Sequence, residues 1–149
     1  MNKSMAAAVI GLAIGCVGGP AVAASPPKAV LIDHSMTSLI DSKAAVAMLG
    51  ESIPARVWKL YPANKWGYVT QVQGGFTASG TCVVTARTMI MALTPTLKVM
   101  MFRPYKTATA FDAAPGLSQE ACRDVAKQKL QESINGVVSS LVNTPPPAN

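Results

Sequence analysis

The chain has 149 residues, half of them hydrophobic, and a formal net charge of +6 at pH 7. This length suits one domain with one hydrophobic core. Its thirteen lysine and arginine residues are scattered singly along the sequence. The absence of a basic cluster argues against a nucleic-acid-binding surface.

The first 24 residues have the three-part layout of a secretory signal peptide. Lys3 precedes an uncharged apolar run, 5–17, and the small residues 21–24 supply an A-x-A cleavage site. The apolar run is shorter than the roughly 20 residues that span a bilayer. We expect cleavage near Ala24 or Ser25, export to the periplasm or beyond, and no stable membrane span. Losing Lys3 lowers the formal charge from +6 to +5.

The segment Ala13–Cys16 offers an alternative route of processing. It is similar to the lipoprotein box of bacteria, which resembles Leu-Ala-Gly-Cys. This chain has Ala13 where the box has a large aliphatic residue. The sequence leaves open whether Cys16 is lipidated.

The first part of the mature chain combines a short apolar run with a helical pattern. Residues 29–32 are either a strand or an apolar segment that packs against the body. Alanines and an apolar stripe in 37–49 predict a helix. Ser35 or Thr37 is placed to cap its start, and Gly50 is placed to end it.

Five later segments contain the β-branched and aromatic residues typical of strands. Short turns join the successive strands, and 107–111 continues the strand 97–102 beyond Pro104, which predicts an antiparallel meander of about four strands. The segments are 56–61, 66–76, 81–93, 97–102 and 107–111.

The clearest predicted element is a C-terminal helix that begins after Ser118. Apolar residues recur at helical spacing from Cys122 to Leu141, with charged and amide side chains opposite. The predicted fold class is α+β: an antiparallel sheet of about four strands packed by this long C-terminal helix and a shorter N-terminal helix. In this scheme 1–24 is a signal peptide and 25–142 is a single domain. A flexible proline-rich tail follows, 143–149.

Two cysteines remain after signal cleavage, and an even number in an exported chain favours a disulfide. Cys122 lies on the apolar stripe of the C-terminal helix. Cys82 shares a strand face with Val84 and Ile90, whereas the opposite face carries Arg87. Both cysteines are therefore predicted to point into the core and to join helix and sheet.

The sequence contains no recognisable catalytic or cofactor motif. Asp33, His34 and Ser35 are the residue types of a hydrolase triad. However, a triad is assembled from separate elements, and neighbours in sequence do not line up. We predict no catalytic residue, no enzyme activity and no cofactor.

Methionine is the unusual enrichment, with six residues left after signal cleavage. Histidine and methionine are soft ligands suited to Cu(I) in an exported protein. His34, Met36, Met89 and Met91 therefore form an alternative metal site, which either tryptophan could cover. The residue types resemble those of periplasmic copper carriers. Methionine also fills irregular cores and adaptable binding surfaces.

The strand face that carries Arg87, Met89 and Met91 is the candidate binding surface. If the helices cover only the Cys82 side, this face stays open, with the character of a protein-binding or lipid-binding surface. If the first helix or the N-terminal run covers it, the face is core, and the sequence leaves both possibilities open. The predicted partner-binding residues are Arg87, Met89, Met91, Lys98, Met100 and Arg103.

The function predicted from these features is that of an exported, non-enzymatic binding protein. Its partner is expected to be a protein of the cell envelope or a secreted protein, on which it acts as an accessory, inhibitor or immunity factor. The positive charge favours contact with anionic surfaces. The alternatives are a copper-binding periplasmic protein and a small secreted hydrolase.

Overall fold

The computed structural model describes residues 29–96 and 100–146, so the predicted signal peptide lies outside the described residues. Four strands form one sheet in the order β1-β2-β3-β4, packed by three helices. This is the expected α+β fold. No helix in the described ranges is both long and apolar enough to cross a membrane. The elements are β1 (Val30–Asp33), α1 (Ser42–Ser52), α2 (Ala55–Leu60), β2 (Trp66–Phe76), β3 (Thr81–Ala92), β4 (Lys106–Pro115) and α3 (Gln119–Val142).

The sheet is mixed, although it is mostly antiparallel. β2, β3 and β4 form an antiparallel meander, whereas β1 pairs with β2 in parallel. Parallel neighbours need a crossover connection of a dozen or more residues. Helices α1 and α2 supply that crossover between β1 and β2. The predicted antiparallel sheet is therefore confirmed for β2, β3 and β4, and β1 adds a parallel pair at one edge.

Helix α1 begins and ends later than the sequence predicts. The Asp41 carboxylate accepts a hydrogen bond from the Ala44 N–H at 3.0 Å, so Asp41 is the N-cap. This bond satisfies one of the free N–H groups of the first turn. Neither Ser35 nor Thr37 is the cap, and Gly50 lies inside the helix instead of ending it.

Residues 56–61 were predicted to be extended, but 56–60 lie in helix α2 and Tyr61 is its C-cap. Pro54 occupies the N-cap position, where its missing N–H costs no helical hydrogen bond. Val57 and Tyr61 are four residues apart and both fully buried. That spacing places them on one helical face. Burial of this face outweighs the strand propensity of the individual residues.

The central hairpin agrees with the sequence prediction. β2 covers the predicted residues 66–76, and β3 ends one residue before the end of the predicted strand 81–93. In the turn between them the Gly80 N–H donates to the Thr77 carbonyl at 3.0 Å.

The predicted strand 97–102 is not a strand where the structure describes it. Residues 97–99 lie outside the described residues. Met100 forms a single antiparallel bridge with Leu93, and Phe102 is fully exposed. β4 starts after Pro104 and runs beyond the predicted 107–111 at both ends.

Helix α3 packs across one face of the sheet. Ser118 caps it by accepting a hydrogen bond from the Ala121 N–H at 3.1 Å. Gly136 lets the helix approach β4 closely, because a Cβ at this position would lie 2.9 Å from the Cβ of Ala108. This contact explains a glycine that costs a helix interior about 1 kcal/mol relative to alanine. The buried stripe of α3 is Cys122, Ala126, Leu130, Ser133, Ile134, Val137 and Leu141.

The predicted disulfide between Cys82 and Cys122 is present and joins β3 to α3. The two Cα atoms are 5.9 Å apart, and both residues are 1% exposed. A cross-link of this kind restricts the unfolded chain, and its effect grows with the length of the closed loop. Here the cysteines are separated by 40 positions.

We expect the Cys82→Ala/Cys122→Ala variant to lose about 4 kcal/mol of unfolding free energy, from the loop-closure entropy of this separation. Urea denaturation followed by circular dichroism would measure the loss. Oxidised and reduced wild-type protein provide the matched comparison. A loss below about 1 kcal/mol in both comparisons would contradict the role given to the cross-link.

Three aromatic residues, Tyr61, Trp66 and Tyr105, form a cluster at one end of the core. Their ring centroids lie between 5.2 and 6.0 Å apart. The Tyr61 hydroxyl donates to the carbonyl of Thr144 at 2.5 Å, and the Tyr105 hydroxyl donates to the carbonyl of Pro145 at 3.3 Å. The first part of the predicted tail therefore lies against the body, and residues 147–149 lie outside the described residues.

Two buried tyrosines should make stability fall at alkaline pH. Burial, followed by the hydrogen bond and charge interaction with Tyr105, raises the pKa of Tyr61 to about 12. Burial also raises the pKa of Tyr68 far above its usual range. Within the described residues the Tyr68 hydroxyl has no hydrogen-bond partner. Both side chains therefore stay protonated in the folded state while the unfolded chain ionises near pH 10.

Above pH 10 the unfolded state binds fewer protons, so the free energy of unfolding should fall by about 1.4 kcal/mol per pH unit for each tyrosine. Tyr68→Phe should lower this slope and leave stability at pH 7 unchanged or about 1 kcal/mol higher, because it removes an unpaired buried hydroxyl. Urea denaturation from pH 8 to 11 would test both expectations. Parallel pH profiles for the variant and the wild type would contradict this account.

Candidate functional site

The three helices all lie on one side of the sheet. Most inner-face residues of β2 and β3 are buried, and Tyr68, Thr88 and Ile90 are fully buried. Helix α3 packs on β3 and β4, and both α1 and α2 contact α3. The opposite face is here called the open face. Its residues alternate with buried positions along β3 and with half-buried positions along β4, and they are themselves half-buried or exposed there. Of the two possibilities left by the sequence, the described residues therefore leave this face uncovered by helices.

A groove of about 520 Å³ lies on the open face, here called the methionine groove. Its volume falls within the range of small-molecule and side-chain binding clefts. Eight of its nine lining residues are apolar, and the ninth is a histidine. They are Val30, Ile32, His34, Val69, Met89, Met91, Met100, Phe102 and Pro104.

Strand register places these residues in rows across the sheet. Val30, Gly67 and Met91 form one row, because Gly67 pairs with both of the others. The Met100 side chain lies over Gly67, where a Cβ would collide with its terminal methyl. A glycine at this position therefore makes room for Met100 beside Met91.

The next row places an aliphatic side chain on each strand beside a methionine. Ile32 pairs with Val69, which pairs with Met89, and Val69 is 4% exposed. Methionine has three rotatable bonds and a polarisable sulfur, so it can adjust to differently shaped partners. The groove therefore has a buried valine at its base, and the methionine side chains that line it can change conformation.

The charge on the open face is entirely positive. Arg87 pairs with Gln71, is exposed, and lies one row beyond Met89. Arg103 is exposed in the segment that follows Phe102. All seven acidic residues of the chain are described, and none lies at a strand position of the open face. Two acids lie on strands, Asp33 on β1 and Asp112 on β4. Asp33 pairs with an inner-face position of β2, and Asp112 pairs with an inner-face position of β3.

Four of the six predicted partner-binding residues come together on this face: Arg87, Met89, Met91 and Met100. Arg103 lies in the neighbouring exposed segment, and Lys98 lies outside the described residues. Sequence reasoning missed the contributions of other elements, namely Val30, Ile32, Val69, Phe102 and Pro104. The parity of β1 and β2 could have indicated the first three, but only once the parallel pairing of β1 was known.

The structure separates the four residues of the alternative copper site. Successive residues on one strand face are about 7 Å apart. Met91, Met89 and His34 occupy three successive rows, and Met36 follows His34 by two residues. Met36 and Met91 therefore cannot bind one ion. Both tryptophans contact the helix side instead: Trp66 belongs to the aromatic cluster, and Trp58 packs against Tyr68.

Asp33, His34 and Ser35 do not form a triad. The Asp33 carboxylate accepts hydrogen bonds from the hydroxyls of Ser35 and Thr70, at 2.6 and 2.7 Å. The Ser35 hydroxyl in turn accepts from the Val72 N–H at 2.9 Å. These bonds hold the chain beyond β1 against β2. The His34 side chain lines the groove on the opposite face.

Comparisons with known proteins find no relative by sequence, since no protein-family model and no curated protein matches the chain. Among solved structures, the chain is similar to a "putative lipoprotein" from Caulobacter crescentus, with 9% sequence identity and a TM-score of 0.33. The match covers 75% of this chain and 87% of the other. This low similarity assigns no ligand, partner or location to the chain.

Gly67→Ala should disturb the methionine groove. The added methyl would collide with the end of Met100 and lie 3.2 Å from the Val30 carbonyl oxygen. We expect a loss of about 1–2 kcal/mol of unfolding free energy, typical of overpacking. Adding Met100→Ala should reduce the effect of the glycine substitution, and a double-mutant cycle by urea denaturation measures that coupling. Gly50→Ala is the control, because its methyl meets only ordinary contact at 3.4 Å. Additivity of the Gly67 and Met100 substitutions would contradict the described contact.

Proposed function

We propose that this protein is an exported binding protein that holds a protein partner of the cell envelope on its open face. It acts without catalysis, as an accessory, inhibitor or immunity factor. The single observation that supports this proposal most is the placement of all three helices on one side of the sheet. An apolar groove remains on the other side, among the described residues, and such patches on soluble proteins commonly serve interaction.

The composition of the groove favours a partner with an apolar anchor. Large apolar side chains inserted into a desolvated pocket dominate the energetics of protein interfaces. The half-buried Met89, Met91 and Met100 can rearrange around such an anchor. Phe102, fully exposed at the rim, would become buried on binding and add contact area.

The charge of the open face favours acidic groups beside that anchor. Arg87 lies one row beyond Met89, and Arg103 stands between the groove residues Phe102 and Pro104, with no acid at the strand positions of the face. Complementary charges accelerate encounter and fix the orientation of a partner. A partner with a carboxylate beside an apolar side chain would meet both requirements.

Export is supported by two independent features. The first 24 residues have a signal-peptide layout, and the core contains a disulfide between Cys82 and Cys122. Disulfides persist in oxidising compartments such as the bacterial periplasm and are rare in the cytosol. We therefore place the mature protein in the periplasm or outside the cell.

Copper binding is the second candidate, and one contact favours it. The Met100 side chain lies over Gly67, which pairs with Met91, and Met89 is one row away, so three thioethers lie on neighbouring positions of one face. Thioethers are ligands for Cu(I). In this second candidate the copper ligands are Met89, Met91 and Met100, and not the predicted combination that included Met36.

A pair of substitutions separates the two candidates. Met89→Leu/Met91→Leu keeps the groove apolar but removes two sulfurs, whereas Met89→Glu/Met91→Glu makes it polar and acidic. We expect envelope-protein capture to persist with the leucine variant and to be lost with the glutamate variant. Gln128→Glu, on the exposed side of α3, is the matched control for an added negative charge.

The readout is capture of one stoichiometric partner from native envelope extract, quantified by mass spectrometry with and without added Cu(I), alongside a Cu(I) titration. Thermal melting confirms that each variant is folded. A partner that binds the glutamate variant as well as the wild type would contradict the proposal. Copper bound at defined stoichiometry and lost in the leucine variant would favour the second candidate.

A further inference from the structure

The aromatic cluster of Tyr61, Trp66 and Tyr105 has features that core packing alone does not require. Both tyrosine hydroxyls donate to backbone carbonyls of the chain end. The Nζ of Lys106 lies 5.4 Å from the centre of the Tyr105 ring. The cluster thus combines three aromatic rings with two hydroxyl donors.

The segment that meets these hydroxyls is extended by its own covalent structure. Thr144 and Pro145 each precede a proline, which disfavours the helical region for both. The ring of each proline also fixes its φ near −65° and removes its N–H. Such a segment cannot satisfy its carbonyls within itself, and it loses little conformational entropy on binding.

Aromatic grooves with hydroxyl or indole donors are one of the recurring ways in which proteins bind extended proline-rich segments. Proline rings pack on aromatic faces, and the donors bond the carbonyls between them. The hydrogen bonds to Thr144 and Pro145 have this pattern, with the donors supplied by Tyr61 and Tyr105. The contact joins residues 83 and 40 positions apart, so it is not a by-product of local chain geometry.

We infer that the aromatic cluster is a binding site for extended proline-containing segments, and that Thr144–Pro146 occupies it in cis. When this tail is released, the cluster binds a proline-rich segment of another protein chain. The site is separate from the methionine groove, since Trp66 and Tyr61 lie on the helix side of the sheet. The inference therefore does not depend on the proposed function.

The connection between helix α3 and the tail is short, and this favours the tail over a free peptide at the aromatic cluster. Asn143 directly follows helix α3, so the tail is held beside the cluster. A short tether gives an effective concentration of roughly millimolar order. A free peptide of moderate affinity therefore cannot displace the tail of the wild-type chain, but it can bind once the tail is loosened.

The test uses the full chain with Pro145→Gly/Pro146→Gly, which makes the tail flexible while keeping its length. The probe is a fluorescein-labelled peptide of sequence Asn-Thr-Pro-Pro-Pro-Ala-Asn, followed by fluorescence anisotropy. We expect the peptide to bind this variant at least tenfold more tightly than the wild type. A peptide with alanine in place of its prolines is the matched control and should bind neither protein.

Tyr105→Phe in the glycine variant removes one donor and should weaken peptide binding about two- to tenfold, as expected for one hydrogen bond. If the glycine variant melts at a lower temperature, the proline peptide should raise that temperature and the alanine peptide should not. Equal peptide affinity for the variant and the wild type, or no binding to the variant, would overturn the inference. Neither of these two results would bear on the proposal that the methionine groove binds a partner.

Discussion

The attachment of helix α3 to strand β3 is the constraint on which the arrangement of the whole chain depends. The buried disulfide between Cys82 and Cys122 fixes one end of this interface. Near its middle, the hydroxyls of Thr88 and Ser133 share a buried hydrogen bond of 2.7 Å. Both contacts use the same parity of β3, so α3 can cover only that face. Helices α1 and α2 then pack beside α3, and the opposite face receives no helical cover among the described residues.

One-sided packing accounts for the unusual chemistry of the open face. An antiparallel sheet with a solvated face normally alternates apolar and polar residues, as β4 does with its exposed Thr107 and Thr109. The strands next to it depart from this pattern, because Val69, Met89 and Met91 place apolar groups on the uncovered side. Most of these apolar groups surround the place where Met100 lies over Gly67, and Phe111 of β4, which pairs with Thr85, adds a further apolar side chain that is 63% exposed. Removing such an apolar patch from water is favourable, so burying it would stabilise a complex with a partner.

How much could be predicted from the sequence differs between elements. β2, β3 and α3 were predictable because each is long and strongly periodic, and the parity of Cys82 followed from that of Arg87. Residues 56–61 were wrongly predicted to be extended, because six residues are too few for a helical period to outweigh β propensity. The parallel pairing of β1 was not predictable, since it depends on how the crossover packs. The same holds for the groove: its β3 residues share a sequence parity, but Val30 and Phe102 reach it only through tertiary structure.

The most direct test of the central claim, that the open face is the binding surface, is photo-crosslinking with photo-methionine incorporated throughout the chain in its native host. Met89, Met91 and Met100 line the groove, whereas Met48 lies on helix α1 against the core on the other side of the sheet. Mass spectrometry of the cross-linked peptides identifies which position contacts a partner. We expect cross-links to one envelope protein through the three groove methionines and none through Met48. Cross-links that form through Met48, with the groove methionines unmodified, would contradict it.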